Sequence, residues 1–74
     1  MIYTYRQRRM DGYVTSRVLN MDELDMERLW ASDIESAAYR RMALYKHEHG
    51  LLRCVADYCA FPEEPDVSLE NSST

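Results

Sequence analysis

The sequence predicts an α+β fold: an N-terminal β-hairpin, a long α-helix, a short C-terminal helix or third strand, and a disordered acidic tail. Three observations lead there. Asp11-Gly12 separates two runs rich in β-branched and aromatic residues, and such a pair is the strongest short-range hairpin signal. Apolar side chains then recur at helical spacing from Met26 to Tyr45. Beyond Pro62 the chain turns to acids, serine, asparagine and threonine. Residues 1–61 thus form a single small domain, and 62–74 a disordered tail.

A two-residue type I′ loop at Asp11 and Gly12 needs positive φ at both positions. It sets Met10 opposite Tyr13, Tyr5 opposite Val18 and Arg6 opposite Arg17. One face of the ribbon then holds Tyr3, Tyr5, Val14 and Val18, and the other Arg6, Arg8 and Arg17. Like charges facing each other are unfavourable unless something acidic neutralises them.

Asn20, followed by Met-Asp-Glu, reads as an N-cap whose capping box Glu23 completes. Asp22 and Asp25 then lie where the helix dipole favours anions. A second box, Ser32 to Glu35, falls mid-way, but the ladder Met26, Trp30, Ile34, Ala37/Ala38 and Tyr45 crosses it in phase. One helix over residues 21–48 is therefore expected, about 42 Å long at 1.5 Å per residue. Gly50 closes it as a C-cap, with Lys46, His47 and His49 in the last turn. Such a helix is long for a monomer of 74 residues and natural in a dimer.

Residues 51–60 suit either period. Leu51, Leu52, Val55, Tyr58 and Cys59 fit a helix, while Leu52, Cys54, Ala56, Tyr58 and Ala60 fit one face of a strand. Ala56 and Asp57 are poor strand residues, so a helix is the first reading and a third strand beside the hairpin the second.

So small a domain often needs a staple or a second subunit. Cys54 and Cys59, five apart, fall on opposite faces of a strand and on different sides of a helix. Two unpaired cysteines point to a reducing compartment, the cytoplasm. No apolar run has the length to cross a bilayer, and no signal-like segment follows Met1. Association as a homodimer is the expected source of further stability.

The formal net charge of −4 is laid down in blocks. Four arginines against Asp11 give residues 1–20 a net +3, and six acids against Arg28 give residues 21–36 a net −5. Four bases against Glu48 return residues 37–53 to +3, and five acids leave residues 54–74 at −5. Adjacent blocks of opposite sign favour pairing of Arg6, Arg8 and Arg17 with Asp22, Glu23, Asp25 and Glu27 within the fold.

No glycine-rich phosphate loop or nucleophile turn is present, so the chain is not expected to be an enzyme or to carry a cofactor. His47, His49, Cys54 and Cys59 are zinc-ligand types, but neither His-x-His nor Cys-x4-Cys has the spacing of a common zinc site. No metal is expected.

Arg41 stands out, because positions 34, 37, 38, 41 and 45 make one helical stripe and the rest of it is apolar or aromatic. Its stem would pack with the guanidinium reaching water or stacked on Tyr45, or it would bond a carboxylate across an interface. Glu27 and Glu48 are the mates available in an antiparallel dimer. With Trp30 and Tyr45 as aromatic anchors, the expected partner-binding set is Arg6, Arg8, Arg17, Trp30, Arg41 and Tyr45.

The expected function is non-enzymatic protein–protein binding, as an inhibitor, adaptor or regulator, with a size and charge that suit a phage or mobile-element accessory protein. The alternative is a small DNA- or RNA-binding regulator using the basic face of the hairpin, with Tyr3, Tyr5 and Tyr13 available to stack on bases.

Overall fold

The computed structural model describes residues 1–62 and consists of five elements: β1 (Ile2–Arg9), β2 (Val14–Asn20), α1 (Glu23–Glu35), β3 (Tyr39–Glu48) and β4 (Leu51–Cys59). The strands form one antiparallel sheet in the order β2-β1-β3-β4. The disordered tail expected beyond Pro62 lies outside the described residues, apart from Pro62 itself.

The hairpin is present, shifted by one residue from the expected register. Gly12 N–H donates to the Arg9 carbonyl at 2.9 Å, and Arg9 N–H to the Tyr13 carbonyl at 2.8 Å. The loop is therefore Met10, Asp11 and Gly12, with Gly12 at φ 91° and Asp11 not in the left-handed region. Three-residue loops of this kind end on a residue with positive φ. Tyr5 consequently faces Arg17, not Val18, and Arg6 faces Ser16, not Arg17. A slip of one residue turns every side chain of a strand to the other face, so Arg17 joins Tyr3 and Tyr5 while Val14 and Val18 join Arg6 and Arg8.

A side chain at Gly12 would meet nothing within 4 Å, so its cost is purely one of backbone. Gly12→Val should cost about 1–3 kcal/mol, because a β-branched residue resists positive φ. Superimposable thermal melts of variant and parent would contradict this turn.

The long helix over residues 21–48 is not formed. Its first half is α1, capped by Asp22 rather than Asn20: the Asp22 carboxylate accepts from Asp25 N–H at 2.8 Å. α1 ends at Glu35, and Ala37 adopts φ 57° to reverse the chain. The second half is β3, in which Met42 and Leu44 point into the core while Arg41, Ala43 and Tyr45 point away. The helical ladder was therefore two patterns end to end, a period of 3.6 in α1 and a period of two in β3.

Gly50 ends no helix. His49 (φ 52°) and Gly50 (φ 76°) are the central pair of a two-residue turn joining Glu48 to Leu51. Positive φ at both is the type I′ requirement, so this is where that turn occurs. Glu48 braces it, accepting from Arg53 Nε at 2.6 Å and lying 3.4 Å from Lys46 Nζ. Arg53 foremost, then Lys46, holds the Glu48 carboxyl below the usual carboxylate range. Residues 51–59 are a strand, as the second reading had it, although β4 pairs with β3 and not with the hairpin.

α1 packs across one face of the sheet. Tyr3, Tyr5, Met26, Met42 and Leu44 form the core, with Leu29, Trp30, Ile34 and Leu19 closing around it. Met26, Leu29, Trp30, Asp33 and Ile34 are the i, i+3, i+4, i+7, i+8 positions of a helix face. With the long helix gone, the stripe joining Ile34 to Arg41 and Tyr45 does not exist. Arg41 and Tyr45 lie on a strand, where four residues span about 13 Å, too far for the expected stacking. Glu27 and Glu48 lose their role as mates on that stripe.

Candidate functional site

The two faces of the sheet differ in kind. On the helix side a polar chain is threaded through the core. Tyr5 is wholly buried, and its hydroxyl donates to Asp33 at 2.6 Å. Buried Gln7 donates to the same carboxylate oxygen at 2.9 Å and accepts from Arg17 at 3.1 Å. Arg17 completes the circuit 5.5 Å from the Tyr5 ring centroid, and Trp30 packs on the same ring with centroids 5.8 Å apart. Of the expected binding residues, Arg17 and Trp30 are thus drawn into this scaffold.

Burial, and after it the Asp33 carboxylate, raises the Tyr5 phenol above the ordinary tyrosine range. The unfolded phenol ionises near pH 10, whereas the folded one stays protonated. Folding stability should therefore hold below that pH and fall above it, by about 1.4 kcal/mol per pH unit for one proton. In Tyr5→Phe the alkaline loss should be shallower by that slope, at a cost of about 1 kcal/mol at neutral pH for the lost bond. Parallel stability profiles between pH 9 and 12 would refute this.

The other face has no covering element among the described residues. By strand alternation it displays Arg6 and Arg8 from β1, Val14 and Val18 from β2, Arg41, Ala43 and Tyr45 from β3, and Cys54, Asp57 and Cys59 from β4. The two cysteines share this face, contrary to the spacing argument. A bulge accounts for it: the β3–β4 register shifts between Leu44 and Tyr45, so Cys54 faces Tyr45 while Cys59 faces Arg41. Five residues with one extra in the ladder restore the same side.

Arg8 stands directly opposite Arg41 across β1 and β3. Arg6, one step of alternation away, faces Ala43, which in turn faces Asp57. A shallow depression of about 450 Å³ runs over this patch, lined by Arg6, Arg8, Arg41, Tyr45, Asp57 and Cys59 among others. Three exposed arginines therefore gather around one acid. No hydrogen bond or ion pair engages Arg6, Arg8 or Arg41 among the described residues. The expected pairing of Arg6 and Arg8 with Asp22, Glu23, Asp25 and Glu27 fails for a geometric reason, since α1 lies on the far side of the sheet, and Arg17, on the helix side, bonds Gln7 instead.

The chain matches no family model, no curated protein and no solved structure.

His47, hydrogen-bonded to Thr4 at 2.8 Å, lies at one end of the open face, and His49 occupies the turn beyond it. Among the described residues no three His, Cys, Asp or Glu side chains converge as a metal cage would. None of their helices is long and apolar enough to cross a membrane. Sequence reasoning named Arg6, Arg8, Arg41 and Tyr45, which the fold brings onto one surface. It missed Val14, Val18 and Asp57, whose side of the sheet depends on the loop length and the bulge.

Proposed function

We propose that this chain is a non-enzymatic binding protein, an inhibitor, adaptor or regulator, that docks its open sheet face on an acidic surface of a target protein. The observation that carries the reading is the opposition of Arg8 and Arg41, with Arg6 beside them, on a face that no described element covers. Like charges set opposite each other cost stability in the free protein, and a target carboxylate placed between them relieves that cost. Each guanidinium can grip a carboxylate through two parallel bonds.

The surroundings suit a protein better than a nucleic acid. Val14 and Val18 are 44% and 67% exposed, and with Ala43 and Tyr45 they give the arginines an apolar, aromatic setting typical of interface anchors. Single-stranded nucleic acid calls for a series of stacking rings, and this face offers Tyr45. The two free cysteines fit a reducing cytoplasm.

The test is affinity capture from nuclease-treated lysate at moderate salt, with Arg6, Arg8 and Arg41 changed together to Gln as the comparison. A protein retained by the parent and lost by the triple variant supports the reading. Retention that disappears on nuclease treatment would replace it with nucleic-acid binding.

A further inference from the structure

Among the described residues the sheet is unfinished on the β4 side. α1 covers β1 and β3, and between α1 and β4 lies a cleft of about 390 Å³, floored by Met26, Trp30, Leu44, Val55 and Ala56 and rimmed by Glu23, Glu27, Lys46 and Arg53. β4 is also an edge strand. Leu51, Leu52 and Val55 on it are 74%, 55% and 37% exposed, and of the devices that guard a free edge β4 carries Arg53, Asp57 and the bulge at Val55 but neither lysine nor proline.

Which backbone groups of β4 point outward follows from alternation. The two-residue turn makes Glu48 and Leu51 a hydrogen-bonded pair, so Leu52 and Cys54 turn their N–H and C=O to the free edge. At the other end Ala60 N–H donates to the Arg40 carbonyl at 2.9 Å, so Cys59 and Asp57 point outward. The outward set is Leu52, Cys54, Asp57 and Cys59, and the bulge at Val55 makes it symmetric about the Val55–Ala56 peptide.

The geometry points to a second copy of this chain as the occupant of that edge, paired β4 to β4 in antiparallel fashion. Only one register brings all four outward positions opposite one another: Leu52 faces Cys59 of the second copy, and Cys54 faces Asp57. Val55 then meets Ala56, and Arg53 meets Tyr58, a cation over an aromatic ring. No like charges face each other. The side-chain faces match as well, because Leu52, Cys54, Asp57 and Cys59 all lie on the open side while Arg53, Val55, Ala56 and Tyr58 lie towards the helix. The same pairing carries Tyr58 of the second copy to the mouth of the cleft beside Arg53. The product is an eight-stranded sheet with both helices on one side and both arginine patches on the other. This pairing stands whatever the arginines bind.

Sedimentation equilibrium of the full chain should give twice the 8.8 kDa chain mass at micromolar concentration. Leu52→Cys places a thiol opposite Cys59 of the second copy, at a Cα separation of about 5.5 Å that a disulfide accepts. Mild oxidation should yield a covalent dimer whose linked peptides join positions 52 and 59. Leu51→Cys, whose side chain falls on the helix face while Cys59 is on the open face, should not form that link. Asp57→Pro removes an outward N–H that the monomer does not use, and should weaken association at least tenfold. A one-chain mass at every concentration up to 100-fold above this range would overturn the pairing. So would a dimer whose cross-links avoid positions 52 and 59. Should Asp57→Pro fail to fold, the cross-link map decides alone.

Discussion

Arg41→Glu should make the protein more stable and stop it binding its target. In the free chain Arg41 faces Arg8 across two strands, so the substitution turns a repulsive pair into an attractive one. Opposite charges directly across a sheet contribute roughly 0.2–1 kcal/mol, and for a domain of this size that raises the melting temperature by a few degrees. Binding moves the other way. Reversing a charge that meets a carboxylate brings like charges together in a partly desolvated contact, a change of several kcal/mol. Affinity should fall by 100-fold or more. Melting curves and a titration against the captured target read both quantities on one sample. A variant that gains stability and keeps its affinity would remove Arg41 from the interface, and one that loses both would mean that Arg41 belongs to the scaffold.

Met26→Ala should be the most damaging truncation in α1. Met26 is 1% exposed and touches both the sheet core and the cleft beside β4. Trimming a buried methionine to alanine costs about 2–5 kcal/mol through lost transfer energy and the cavity left behind. A domain of some 60 residues has only about 3–9 kcal/mol of total stability. Denaturant unfolding should show most of that margin gone, with the midpoint reduced and the slope unchanged. Because the cleft already adjoins Met26, the alanine variant should open it further into the core. A loss under 1 kcal/mol would mean that α1 contributes little to holding the sheet.

The elements whose signals are local could be read from the sequence. Asp11-Gly12 marked a turn, the acidic run before Met26 marked a helix start, and the strand alternative for residues 51–60 was visible in Leu52, Cys54, Ala56, Tyr58 and Ala60. What decided the architecture was not local. Ala37 and Ala38 are strong helix formers, yet the chain reverses there, with Ala37 at positive φ. No propensity announces that reversal; pairing of β3 with β1 imposes it. Met42 and Leu44 were available as a period of two, but the longer ladder through Tyr45 masked them. Gly50 reads as a C-cap, with His49 in the last turn, only so long as the segment before it reads as helix.

The arginines were legible as residue types and illegible as a surface. One extra loop residue moved Arg17 to the helix side, and the bulge at Val55 moved Cys59 to the open side. Neither a loop of three rather than two nor a bulge leaves a clear mark in this sequence. The face that emerged shares Arg6 and Arg8 with the expected one and takes Arg41 from a segment assigned to a different element.

Among the described residues the sheet also divides the charge. α1 carries five acids against Arg28, while Arg6, Arg8 and Arg41 stand on the reverse side of the sheet. A body charged in this way has a dipole along the sheet normal, and a target with an acidic patch exerts a torque on it before contact. Approaches with the helix leading are repelled, and those with the arginines leading are drawn in. Under the proposed docking the chain would reach an acidic partner already turned the right way, despite a net charge of the same sign as that patch. Such steering acts on the rate of encounter. Added salt should slow association while leaving the lifetime of the complex nearly untouched.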